Sequence, residues 1–154
     1  MRTISNSKGF NLIEVIVALA LLAGVLISIA GLFTYGARFV KSGKEMTEAL
    51  SVAKDILEEL DKLSYKQLYG EFGCSASDTS CIADTETNSY AQQWGPSIVE
   101  KLGEGAMATI TLQPVGGTAS PPTFSSSRGI RMAVLVEWHE NMRQRDLELA
   151  MMRF

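Results

Sequence analysis

Glu14 is the only charged side chain between Lys8 and Arg38, and it stands at the head of a long apolar run. From Val15 to Phe33 nothing is charged, and Ser28 alone is overtly polar. At ~1.5 Å per helical residue, a run of that length crosses the roughly 30 Å hydrocarbon core of a bilayer. A carboxylate in such a segment costs about 2.5 to 3.5 kcal/mol at the helix centre, and less near an end that reaches water. The chemistry open to it is charge pairing, because a buried carboxylate is tolerated beside a cation and is costly without one.

Other reactive residue types are sparse. Cys74 and Cys81 stand seven positions apart in a stretch poor in apolar residues. In an oxidising compartment that spacing reads as a local disulfide, closing a short ring worth ~2 to 3 kcal/mol in the chain-entropy account. Free thiols, or pairing with another chain, are the alternatives. Neither cysteine has a second Cys/His pair at zinc-like spacing. His139, the single histidine, falls on an alternating segment and reads as structural or solvent-facing. Asp78, Asp84 and Glu86 could offer oxygens to calcium, but their spacing matches no EF-hand loop, and a solvated acidic loop is the simpler reading. Ser125, Ser126 and Ser127 have the composition of a flexible loop. The residues therefore predict a chain that is not an enzyme, with no metal site and no cofactor.

The elements that would carry these residues follow from periodicity. Beyond the apolar run, Met46, Leu50, Ala53, Leu57 and Leu60 recur at helical spacing, widened by Val52, Ile56 and Leu63. Glu45, Glu48, Lys54, Asp55, Glu58, Glu59, Asp61 and Lys62 fill the other side, so the segment is amphipathic. The helix is expected to fray between Ser64 and Gly70. Met132, Val134, Val136 and Trp138 alternate with Arg131, Ala133, Leu135, Glu137 and His139, as Leu147, Leu149 and Met151 do with Asp146, Glu148 and Ala150, and residues 140–144 between them read as the turn of a hairpin. Ala108, Ile110 and Leu112 suggest an earlier strand, bounded by Gly105 and by residues 114–117. A sheet laid on the amphipathic helix buries both apolar faces, an α+β arrangement.

Length and charge bound the function. One span leaves about 120 of the 154 residues, enough for one core and not for two. The formal net charge is −3, and loss of Arg2 and Lys8 with a leader would take it to −5. A mildly acidic chain without a basic patch offers little to nucleic acid, so no nucleic-acid partner is expected. Basic residues flank the span on both sides, Arg2 and Lys8 before it and Arg38, Lys41 and Lys44 after it, so their count does not choose an orientation.

The stretch from Lys8 to Gly31, with Gly9-Phe10 four residues ahead of Glu14 and about twenty apolar residues behind it, resembles the class III leader and N-terminal helix of type IV pilins and pseudopilins. The resemblance implies a pilin-like fold: leader 1–9, transmembrane helix 10–35, and an extracytoplasmic domain 36–154 comprising amphipathic helix 36–64, loop 65–103 and β-sheet 104–154. It implies that a prepilin peptidase cuts between Gly9 and Phe10 and methylates Phe10, and that Glu14 pairs with the N-terminal ammonium of a neighbouring subunit. Expected partners are that peptidase, other minor and major pilins, and inner-membrane lipid before assembly. The implied location is single-pass in the inner membrane with the C-terminal domain in the periplasm, then the pilus at the cell surface.

Ala20, Gly24 and Ser28 form a small-residue stripe that would let helices approach closely in lipid; the alternative is that such residues are simply common in membrane helices. The family often carries proline at the twenty-second mature position, where this chain has Gly31. The patterns at residues 17–22, 53–58 and 134–138 look most like a minor pilin of the type IV pilus modification class. They are also similar to the I-type minor pseudopilin of type II secretion. Competing readings are that pseudopilin, an unrelated single-span anchored domain, and a cleaved signal peptide ending near Ala30. An acidic residue at the start of the core and the length of the run speak against the signal peptide.

Overall fold

The computed structural model describes residues 11–140 and 143–154. The chain divides into two compact units, Met1–Lys41 and Ser42–Phe154. A single helix, α1, runs from Leu12 to Lys62. From Val15 to Phe33 it is apolar on all sides, and up to Lys41 its described residues are exposed apart from half-buried Gly31. From Ser42 onward it is amphipathic. Its buried residues are Ala49, Val52, Ala53, Ile56, Leu57 and Leu60, which pack on a four-stranded antiparallel sheet to give an α+β fold.

The strands are β1 (Cys81–Asp84), β2 (Met107–Val115), β3 (Gly129–Glu140) and β4 (Arg143–Arg153), adjacent in space in chain order. Alternation sets the faces: Ala108, Ile110 and Leu112 of β2 and Met132, Val134, Val136 and Trp138 of β3 are buried against the helix. Leu147, Leu149 and Met151 of β4 pack on the same core but are half-buried, since β4 is an edge. The hairpin is tighter than the alternation suggested, with Glu140 opposite Arg143 as the last pair.

Val52, Ala53, Ile56, Leu57 and Leu60 of the expected stripe are buried, and the buried face departs from it only at its start. Met46 and Leu50 are 48 % and 45 % exposed, whereas Ala49 is fully buried. Ala49 and Ala53 are both fully buried in the core between helix and sheet.

The expected loop 65–103 is corrected more strongly. It holds α2 (Tyr65–Glu71), β1, a 3-10 turn (Ala91–Trp94) and α3 (Gly95–Leu102). Leu68, Phe72, Ala91, Trp94, Ile98 and Leu102 from this stretch enter the core. Each short element contributes only one or two anchors, too few to register as periodicity. α1 ends at Lys62, and the stretch expected to fray, Ser64 to Gly70, instead starts a second helix. Ser64 accepts from the Gln67 amide at 3.4 Å, while the Gln67 side chain accepts from the Ser64 amide at 3.1 Å, a capping box that opens α2. The end of α1 is closed by Arg153, whose Nη1 donates to the carbonyls of Asp61 and Leu63 at 3.0 and 2.6 Å.

Cys74 and Cys81 form a disulfide with Cα atoms 6.0 Å apart. It ties the segment after α2 to the first residue of β1. Gly117 has a local steric requirement: its φ is +120°, and a Cβ there would stand 2.1 Å from the Ser126 carbonyl oxygen.

Candidate functional site

Glu14 lies in the first turn of α1, where its amide donates to the Asn11 carbonyl at 2.9 Å. The unsatisfied amides of a helix N-terminus favour a carboxylate at that place. Glu14 is exposed, and among the described residues no side chain pairs with its carboxylate. Among the described residues, the geometry offers an exposed anionic group in the first turn of an apolar helix, where a cation could meet it.

The rod itself is bare. Leu12, Ile13, Leu19, Leu21, Ile27 and Phe33 are each more than half exposed, and none of the most apolar eighteen-residue window is buried. α1 is long and apolar enough to cross a membrane, consistent with single-pass anchoring. Along it, Ala20, Gly24 and Ser28 are all exposed. The Ser28 hydroxyl donates to the Gly24 carbonyl at 2.9 Å, so the stripe presents no free donor. Nothing lies within 4 Å of a Cβ built on Gly24 or Gly31, so no contact within the chain requires glycine there. Gly9 and Phe10, the expected cleavage and methylation positions, lie outside the described residues.

The acidic residues of the middle segment serve their own turns. Asp84 accepts from the Thr87 amide at 2.6 Å, from the Thr87 hydroxyl at 2.8 Å and from the Glu86 amide at 3.0 Å. The bonds from Thr87, backbone first, hold its carboxyl below the usual 3.8. Asp78 accepts from the Ser75 amide at 2.8 Å. Among the described residues no three His, Cys, Asp or Glu side chains converge as a metal site. His139 is exposed on β3.

Two polar arrangements were not visible in the sequence. Trp94 donates its indole N–H to Glu59 at 2.6 Å, fastening the 3-10 turn to α1. At the other end of the sheet, Glu140 Oε2 accepts from Ser42 at 3.2 Å and from Arg145 at 3.0 Å. Beside it lies a cavity of about 190 Å³ lined by Ser42, Met46, Trp138, Gln144, Arg145 and Asp146. The Trp138 indole nitrogen is buried and has no hydrogen-bond partner among the described residues. Trp138 and Arg145 stand directly opposite in the ladder, so only the strand register could have brought them together.

Comparison with known protein families, with curated proteins and with solved structures gives no match for this chain.

Proposed function

We propose that this chain is a structural minor subunit of a type IV pilus, assembled with other minor and major pilins into a complex that primes or caps the filament. The reading rests on the resemblance of residues 8–31 and on one observation, the exposed Glu14 in the first turn of a bare apolar helix, with no side-chain partner among the described residues. A prepilin peptidase would cut after Gly9 and methylate Phe10 while the chain sits in the inner membrane with its sheet domain in the periplasm. An α-amino group has a pKa near 8 and is mostly cationic at neutral pH, so a neighbour's Phe10 ammonium would supply a counter-charge to Glu14. The stripe of Ala20, Gly24 and Ser28 would let the paired helices close together.

Mass spectrometry of the mature chain tests the first step: the expected N-terminus is N-methyl-Phe10, and Gly9→Val retains the leader. An N-terminus at Gly31 establishes a signal peptide and ends the proposal. Glu14→Gln tests the pairing at equal levels of processed protein, since the same carboxylate can influence methylation. Insertion is expected to be unchanged or easier, and incorporation into a complex with other minor subunits to fall. Wild-type co-purification and piliation by Glu14→Gln subunits would refute the charge-pairing mechanism.

A further inference from the structure

The two edges of the sheet are built differently. β1 is four residues long and begins at Cys81, held by the disulfide. β4 is eleven residues long, lacks proline and glycine, and pairs with β3 without a bulge from Arg153 to Arg143. An edge strand carries unpaired N–H and C=O groups that template another strand, and proteins usually blunt it with short length, bulges, proline or inward charge. β4 carries inward charge only toward its ends, at Arg143, Arg145 and Arg153. Between them Leu147, Leu149 and Met151 face α1 and are half-buried. Leu149 and Met151 line a groove of about 410 Å³ between β4 and the outer half of α1, together with Leu57 and Asp61 among others.

Charge separates the two faces of β4. On the face toward α1 every charge is an arginine, and on the outward face every charge is an acid, Asp146 and Glu148. Asp146 stands directly opposite Glu137, a disfavoured like-charge pair. Gln144 donates to Glu137 at 2.7 Å and Arg131 to Glu148 at 3.0 Å, while Asp146 has no partner among the described residues. A second copy does not answer this need. Two-fold antiparallel pairing of β4 with itself keeps each face on its own kind, arginine with arginine and acid with acid.

We propose that β4 is the acceptor edge for an extended strand of a different protein, with apolar side chains facing α1 and lysine or arginine facing outward beside Asp146 and Glu148. The added strand would satisfy the open backbone edge, fill the groove beside Leu149 and Met151, and neutralise Asp146. This inference is independent of the filament reading and of leader processing.

The test uses the full chain in zwitterionic micelles and a fluorescent eight-residue strand alternating valine with lysine. Anisotropy is expected to show saturable binding, and amide exchange to slow in β4 but not in β1. Replacing lysine by glutamate in the peptide, or Asp146 by lysine in the protein, should weaken binding at least about fivefold. The glutamate peptide should recover affinity on Asp146→Lys. A peptide methylated on alternate backbone nitrogens should not bind, because it cannot complete the ladder. Absent binding, equal affinity for both peptides, unchanged affinity of Asp146→Lys, or protection at β1 would overturn the proposal. A concentration-dependent dimer protected along β4 would overturn the choice of a different protein as the partner.

Discussion

Leu60→Ala and Leu50→Ala make the same chemical change ten residues apart on one helix, and the structure assigns them very different consequences. Leu60 is fully buried, whereas Leu50 is 45 % exposed. Truncating Leu60 removes three buried carbons, about 2.4 kcal/mol at ~0.8 kcal/mol each. The packed sheet beneath it cannot collapse completely into the space, so a cavity term raises the expected loss to about 3 to 5 kcal/mol. At Leu50 much of the side chain already meets water, and the loss should be about 1 kcal/mol or less. Trp94 and Trp138 are the only tryptophans, and both are buried in the unit that unfolds. Urea titration in micelles, followed by tryptophan fluorescence, therefore reads the sheet domain and not the apolar half of α1. The midpoint should fall sharply for Leu60→Ala and barely for Leu50→Ala, with the slope unchanged. Equal losses, or a larger one at Leu50, would mean that the helix buries the face centred on Met46 and Leu50, and the packing described above would be wrong.

Two further predictions concern the segment between helix and sheet. Replacing both Cys74 and Cys81 by serine releases a ring closed across seven positions, and stability should fall by about 2 kcal/mol without affecting membrane insertion; non-reducing peptide mapping should recover the two linked, and two freely alkylatable thiols would refute the pairing. Asp84 has a lowered native pKa, so its stabilising contribution is complete above the ordinary value of 3.8 and is lost as pH falls through the lowered native value. Asp84→Asn should flatten the acid limb of a stability profile, and an unchanged limb would show that the Thr87 bonds carry no such linkage.

The long apolar helix, its amphipathic continuation and the strands β2, β3 and β4 were legible because each repeats one instruction over many residues. An uninterrupted apolar run, a 3.6-residue period and a two-residue period are local signals, and burial in lipid or in a core enforces them. The segment 65–103 lacked any such repetition. Its one strong local cue was Ser64 followed three residues later by Gln67, the capping box that starts α2. β1 spans four residues and owes its existence to the ladder β2 offers it. The same limit applies to the site. Glu14 could be picked out from sequence because a charge in an apolar run is anomalous wherever the chain folds. That Ala49 lies against the sheet, that Glu59 receives the Trp94 indole N–H, and that Asp146 faces Glu137 across β4 depended on register and close packing. Those are set between residues far apart in the chain, and only the tertiary structure decides them.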